Sequence, residues 1–147
     1  MSSHVSRELR RLVVVRAEGL CEYCLIHEED TFFGGEVEHV VAIQHGGPTE
    51  ADNLAFACLF CNRHKGTNLV SLLPSTGELV RLYHPRRDRW AEHFRLDGAT
   101  IRPLTAVGDV TARLLEFNVG DRLLERRVLM AAGRYPSAAA LRRMQVS

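Results

Sequence analysis

The sequence is poor in several features, and each shortage excludes a class of protein. Its apolar runs, such as Leu12–Val15 and Leu54–Leu59, are far too short to span a bilayer. The N-terminus has no apolar stretch of the kind found in secretory signals, so we expect a cytoplasmic protein with no membrane association. A formal net charge of only +1 argues against a strongly basic nucleic-acid binder, although it allows a local basic face.

Lysine is nearly absent. Of the 19 basic residues 18 are arginine, and the single lysine is Lys65. The guanidinium fork matches phosphate geometry better than an ammonium group does, although a general bias in base composition would give the same count. With 147 residues, 46% hydrophobic and 25% charged, the chain suits one soluble globular domain.

The four cysteines form two Cys-x-x-Cys pairs, Cys21–Cys24 and Cys58–Cys61. Disulfides are rare in a reducing cytosol, where paired spacings of this kind more often bind metal. Four thiolates suit a closed tetrahedral Zn²⁺ site that contributes to folding and leaves no position for a catalytic water. The sequence therefore predicts a structural zinc ion, and the alternative is four free buried cysteines.

Hydrophobic spacing and turn residues predict an α+β fold in two parts. The first part, residues 1–73, is predicted to contain, in order, a helix over Ser6–Glu18, a strand over Glu36–Ile43, a loop over Gln44–Asn53, a strand over Leu54–Ala57 and a helix over Asn62–Leu72. The second part, residues 74–147, is predicted to contain hairpin turns at Thr76-Gly77 and Asp97-Gly98, helices over Val107–Phe117 and Gly120–Met130, and a frayed tail from Tyr135. We expect this mixed hairpin and helical extension to pack on the first part as one structural unit.

Between and around the cysteine pairs lies a second group of residues. These are Val37-Glu38-His39-Val40-Val41, Gly46-Gly47, Asp52-Asn53-Leu54 and Cys61-Asn62-Arg63-His64-Lys65-Gly66. In order and spacing they resemble the HNH endonuclease family over residues 18 to 72. The resemblance implies a small ββα-metal core in which two short strands and a helix surround one catalytic metal ion. The family more often has Asp at the position of Glu38.

The resemblance assigns roles that suit phosphodiester chemistry. His39 would be the general base, since a neutral imidazole can take a proton from water near neutral pH. Glu38 and Asn62 would hold a catalytic Mg²⁺ or Mn²⁺ ion through hard oxygen ligands. Asn53 would brace the loop that orients His39. Strand alternation places Glu38 and His39 on opposite faces.

Residues that follow Asn62 carry more than one interpretation. Arg63 and Lys65 are predicted phosphate contacts, with a solvated helix face as the alternative. His64 could contact a phosphate or serve as a further metal ligand, while Asn62 is aligned with the third position of the family motif.

Aromatic and basic residues elsewhere are interpreted mainly as structure. Phe32, Phe33 and Phe56 are predicted core residues rather than base-stacking groups. In the extension, Trp90 and Phe94 lie among arginines, which fits either a nucleic-acid surface or a hairpin packed on the core. The helical segment that contains Arg122, Arg126 and Arg127 is predicted to present them to solvent.

The sequence thus predicts a zinc-stabilised, metal-dependent nuclease that cuts DNA, with double-stranded DNA as the favoured substrate. A non-catalytic nucleic-acid-binding module built on the same fold is the main alternative. A plain zinc-ribbon interaction domain would leave the position of His39 unexplained. Neither the target sequence nor the oligomeric state follows from the residues.

Overall fold

The computed structural model describes residues 4–145 and begins with helix α1, Arg7–Arg16. The Ser6 hydroxyl caps this helix by accepting a hydrogen bond from the Leu9 amide at 3.1 Å. Val13 and Ala17 are fully buried against Leu54 and Phe56. The helix predicted from the sequence is therefore present, and its apolar stripe covers the following hairpin.

The predicted two strands and helix form the centre of the first part. Strand β1, Gly35–His39, pairs antiparallel with β2, Leu54–Cys58, in a register that opposes His39 to Leu54. Helix α2, Leu59–Lys65, follows β2 directly. This confirms an α+β fold with a small ββα core.

Two predicted boundaries in this part are wrong. Strand β1 ends at His39 rather than Ile43, because the chain then turns into a loop with short 3₁₀ turns at Ile43–His45 and Ala51–Asn53. Helix α2 begins at Leu59, where the Cys58 sulfur accepts from the Cys61 amide, and ends before Gly66, whose φ of 53° does not continue a helix.

Two hairpins and four helices follow α2 within residues 4–145, and all of them except β3 lie in the extension. The hairpins are β3, Val70–Leu72, with β4, Leu79–Arg81, and β5, Phe94–Asp97, with β6, Thr100–Pro103. The helices are α3, Trp90–His93, α4, Ala106–Leu114, α5, Gly120–Ala131, and α6, Ala138–Met144. Both predicted hairpin turns and both predicted helices are present.

The extension shares its main hydrophobic core with the cysteines. Trp90 and Phe94 are buried in it, which agrees with the interpretation that they pack rather than contact nucleic acid. The prediction of a frayed tail is wrong: the Tyr135 hydroxyl is buried and donates to the Cys24 carbonyl at 2.9 Å. Residues 146 and 147 lie outside the described part. Within residues 4–145, none of the helices combines the length and apolar character needed to cross a membrane.

Candidate active site and metal centre

The four cysteines converge on one point inside the core. All are buried, and their sulfur atoms lie within 4.8 Å of one another. The sulfurs of Cys24 and Cys58 are 3.8 Å apart. That distance is far longer than a disulfide and equals the edge of a tetrahedron with Zn–S bonds of about 2.3 Å, roughly 3.8 Å. The residues present thus fit a metal ion, and the all-sulfur donor set is typical of structural zinc.

Local geometry prepares each cysteine pair for a ligand role. The Cys24 amide points at the Cys21 sulfur at 3.5 Å, and the Cys61 amide points at the Cys58 sulfur at 3.4 Å. Such amide contacts favour the thiolate form that binds metal. The two turns come from distant parts of the chain and are brought together by β2, which runs into the second pair.

An arginine from the extension lies beside this cluster. Arg122 in α5 is buried, and its Nη1 and Nη2 atoms are both 3.9 Å from the Cys61 sulfur. Its guanidinium stacks over the Phe60 ring at 4.2 Å. Burial alone would lower the pKa of Arg122, but the nearby cysteine charges raise it. Four thiolates around one Zn²⁺ ion carry a net charge of −2, which this cation offsets.

The prediction that Arg122, Arg126 and Arg127 share a solvated face is wrong for the first two. Arg126 is also buried, where its Nε donates to the Ala99 carbonyl at 2.6 Å and its Nη2 donates to the Phe117 carbonyl at 2.7 Å. Only Arg127 is exposed. Sequence periodicity missed this because an arginine can be buried wherever carbonyls or thiolates satisfy its donors.

His39 ends strand β1 and is half-buried. Its Nε2 atom lies 2.8 Å from the Thr49 hydroxyl, which fixes the ring from across the loop. Among residues 4–145, Nδ1 has no hydrogen-bond partner, and in the tautomer in which Nε2 donates to the Thr49 hydroxyl it can receive a proton. Burial lowers the pKa of His39, so the imidazole is neutral near pH 7. No signal in the sequence points to Thr49, because it lies ten positions after His39 on the far side of a loop.

Asn53 holds the loop behind His39. Its amide oxygen accepts from the Val41 amide at 3.0 Å, and its Nδ2 donates to the carbonyls of Val41 at 2.9 Å and Pro48 at 2.8 Å. Gly47 passes so close that an added Cβ would lie 1.8 Å from the Val41 oxygen. These contacts are those that a bracing residue would make.

Glu38 faces the opposite way from His39, as strand alternation predicts. Its side chain is buried, at 6% exposure, and accepts a short hydrogen bond from the Tyr23 hydroxyl. The Lys65 ammonium, at 1% exposure, lies 3.7 Å from the other carboxylate oxygen and donates to the Val40 carbonyl at 2.9 Å. Burial raises the pKa of the Glu38 carboxyl, whereas Lys65 and Tyr23 lower it.

Lys65 is therefore placed differently from the sequence prediction. A phosphate contact requires an ammonium at the surface, whereas this one is enclosed and pairs with Glu38. Arg63 is exposed and accessible to a phosphate.

The buried pair gives a prediction for stability. Glu38→Ala should lower the free energy of unfolding by about 3–5 kcal/mol, because it leaves the buried Lys65 ammonium without its countercharge. Denaturant unfolding of the zinc-loaded protein measures the change. The double variant Glu38→Gln with Lys65→Met removes both charges and should recover most of the loss. Equal destabilisation of the single and double variants would contradict this pairing.

Asn62 lies in the first turns of α2 and faces strand β1. Its Nδ2 donates to the Glu36 carboxylate at 2.6 Å. Glu36 is exposed and lies two residues before Glu38, hence on the same face of the strand. The exposed Glu36 carboxylate therefore lies next to the half-buried Asn62 amide. Strand alternation places Glu36 on the same face as Glu38, and this pattern could have identified Glu36 from the sequence.

His64 is engaged by the extension. Its Nε2 lies 2.5 Å from a carboxylate oxygen of Glu116, its Nδ1 lies 2.9 Å from the Phe60 carbonyl, and its ring stacks on Phe60. These contacts use both ring nitrogens within the protein.

Phe32 and Phe33 are not core residues, which corrects the prediction from the sequence. They are 94% and 72% exposed and pack against each other edge-to-face, whereas Phe56 is buried as predicted. The two rings precede β1 at Gly34-Gly35, where Gly35 lies against the Phe56 ring. The Phe56 ring leaves no space for a side chain at Gly35, and Phe32 and Phe33, which precede it, lie at the surface.

Comparisons with known proteins agree with this geometry. Residues 21–68 match the family model for HNH endonuclease. The search of curated proteins and the search of solved structures gave no match. The match spans both cysteine pairs, His39, Asn53 and Asn62, and it indicates a nuclease or another function related to nucleic acids. Over residues 21–68, a third of the chain, this protein is similar to the HNH endonuclease family.

Proposed function

We propose that this protein is a metal-dependent endonuclease that hydrolyses phosphodiester bonds in DNA. The observation that carries the proposal is a half-buried His39 held by Thr49 at the open end of β1, inside the segment that matches the family. A neutral imidazole fixed in this way can take the proton from an attacking water. Asn53 keeps the loop in place, so the ring does not need to reorganise during the reaction.

The same proposal includes a catalytic Mg²⁺ or Mn²⁺ ion near Asn62. Such an ion would offset the negative charge that develops on the phosphoryl oxygens. Asn62 and Glu38 are the ligands that the family resemblance implies, and we add Glu36, since its carboxylate is exposed and contacts Asn62. Hard oxygen donors of this type suit either ion, which would keep most of its waters. Arg63 is exposed in the same helix, and we assign it a contact with an adjacent phosphate.

The bound divalent ion should be separable from the structural zinc. Mild EDTA should stop nicking of supercoiled plasmid before it removes the thiolate-bound metal, and added Mg²⁺ or Mn²⁺ should restore it. Glu36→Gln should raise the Mn²⁺ concentration needed for half-maximal nicking, because it removes one charged oxygen ligand. Glu50→Gln, which alters an exposed carboxylate outside β1, is the matched control and should leave that concentration unchanged.

Two results would count against these assignments. Cutting at full rate in EDTA with zinc retained would remove the divalent ion from the mechanism. An unchanged Mn²⁺ requirement in Glu36→Gln would remove Glu36 from the ligand set while leaving Glu38 and Asn62 in it.

The burial of Glu38 favours a second candidate function, a nucleic-acid-binding module that does not cut. A carboxylate committed to Tyr23 and Lys65 is less available to a metal ion. This candidate predicts that the protein binds DNA but leaves plasmid intact with both Mg²⁺ and Mn²⁺. The nicking assay separates the two functions directly.

A further inference from the structure

A cavity of about 360 Å³ lies at the outer edge of strand β2, away from β1. Five arginines line this cavity but only three acidic residues, which are Glu22, Asp88 and Glu92. These arginines are Arg16, Arg86, Arg89, Arg142 and Arg143. All five lie outside the segment that matches the family, so the HNH core does not account for them.

Three elements that are distant in sequence bring the arginines together. Arg16 ends helix α1, Arg86 lies in the loop between β4 and α3, and Arg142 and Arg143 lie in the last turn of α6. The last two share a single carboxylate: Arg142 Nη2 and Arg143 Nη1 lie 2.7 and 2.5 Å from the two oxygens of Glu18. One negative charge thus serves two guanidinium groups.

Arg86 is the most enclosed cation of the cavity. It pairs with Glu22, whose second carboxylate oxygen accepts from the Phe56 amide of β2 at 2.8 Å. Within residues 4–145, Arg86 Nη1 and Arg16 Nε are buried and find no acceptor. Burial, together with the charges of Arg16 and Arg143, lowers the pKa of Arg86 to about 10. The cavity therefore holds unsatisfied donors and concentrated positive charge.

We propose that this cavity binds a phosphate group, with Arg86 and Arg16 as its principal donors. A tetrahedral oxyanion would accept hydrogen bonds from the guanidinium groups that line the cavity and relieve the repulsion among the clustered cations. Neither a neutral ligand nor a cation would do both.

The position of the cavity suggests where the phosphate comes from. Arg16 Nη2 donates to the Leu54 carbonyl at 2.8 Å, and Leu54 is paired with His39 across the hairpin. Arg16 therefore contacts β2, the strand directly next to β1, and β1 carries the proposed base His39. Neighbouring strands lie about 4.8 Å apart. A phosphate of a nucleic-acid strand bound at His39 can reach this cavity, and this part rests on the proposed function. A small phosphorylated molecule offers the same chemistry.

The test uses a charge-neutral double variant, Glu22→Gln with Arg86→Gln. It removes the central guanidinium but retains net charge and allows an amide to replace the buried ion pair. The matched control is Asp97→Asn with Arg102→Gln, which neutralises an exposed pair at 2.5 Å on the β5–β6 hairpin. Zinc-loaded proteins are compared by thermal unfolding in sodium phosphate and in sodium chloride of equal ionic strength. Phosphate stabilises proteins generally because it is excluded from their surface. The measured quantity is therefore the rise in melting temperature from chloride to phosphate, compared between the variants.

The second arm measures affinity for a short DNA duplex in mild EDTA, which removes the divalent ion that the proposed cutting reaction requires. If the phosphate belongs to nucleic acid, the double variant should bind more weakly than the control. Its slope of log affinity against log salt should also be shallower by up to about 0.9, the value for one lost phosphate contact. This arm measures binding alone, so it remains informative even if the protein does not cut.

Each combination of results decides the matter. A phosphate-specific gain in the melting temperature of the wild type and the control, absent from the double variant, supports the site. With reduced DNA affinity the ligand is a backbone phosphate, and with unchanged DNA affinity it is a small molecule. Reduced DNA affinity without a response to inorganic phosphate supports a backbone phosphate held by the whole strand. If the double variant matches the control in both arms, the proposal is overturned.

Discussion

Replacing His39 with alanine is expected to lower the plasmid-nicking rate by about 10²–10⁴-fold, the contribution of a positioned general base. The side chain is half-buried and contacts the Thr49 hydroxyl, so its loss should not alter the cysteine cluster. Zinc content and DNA affinity should therefore stay close to those of the parent protein. The measurement is a single-turnover nicking assay with saturating Mn²⁺, accompanied by metal analysis and a DNA-binding titration.

His45→Ala provides a matched control, because His45 lies in the same loop and is exposed, with its Nε2 3.1 Å from the Thr67 carbonyl. It should cut at the parental rate. Thr49→Val should give a smaller loss than His39→Ala, because it frees the imidazole without removing it. Parental activity in His39→Ala would exclude this residue as the base.

The pH dependence follows from the same site. Burial lowers the pKa of His39, so the neutral form that accepts a proton persists to more acidic pH than in a free histidine. On the acidic side, the midpoint of the fall in nicking rate should therefore lie below pH 6.5, and this fall should be absent in His39→Ala. A limb centred above pH 6.5 would indicate another titrating group.

Replacing Cys58 with serine is expected to abolish cooperative folding of the purified protein. A structural zinc site contributes an apparent 10–16 kcal/mol in small zinc domains, comparable with or larger than the roughly 5–15 kcal/mol net stability of a whole domain. Here the cluster lies in the main core, in contact with residues of both parts of the chain. Losing the metal should therefore destabilise the extension as well as the HNH segment.

Metal analysis should give about one zinc per chain for the parent protein and much less for Cys58→Ser. Thermal unfolding followed by circular dichroism should show a cooperative transition only in the parent. All four cysteines belong to the cluster, so the independent control is the parent protein stripped by a strong chelator, which should behave like the variant. Soluble, cooperatively folded and zinc-free protein from either route would contradict a structural role for the metal.

Much of the candidate site could be predicted because its residues are close in sequence or have restricted chemistry. Paired cysteines have few alternatives in a reducing environment, and the prediction that they converge is confirmed. The order of the two strands and the helix is confirmed as well. The environment of Glu38 could not be predicted, since its partners Tyr23 and Lys65 lie 15 and 27 residues away along the chain. Lys65 reaches Glu38 only when α2 packs on β1, and Tyr23 reaches it only when the turn of the first cysteine pair packs beside the same strand.

The sequence by itself determined the α+β class, the cysteine cluster and the similarity of residues 21–68 to the HNH endonuclease family, because local spacing and side-chain chemistry encode each of them. Only the tertiary structure decided which charged groups are buried. Arg122 and Arg126 carry no mark in the sequence that separates them from the exposed Arg127. Burial of a charge depends on partners supplied by distant segments, such as the Cys61 sulfur and the Phe117 carbonyl. The arginine cavity arises in the same way, from three segments that meet only in the folded chain.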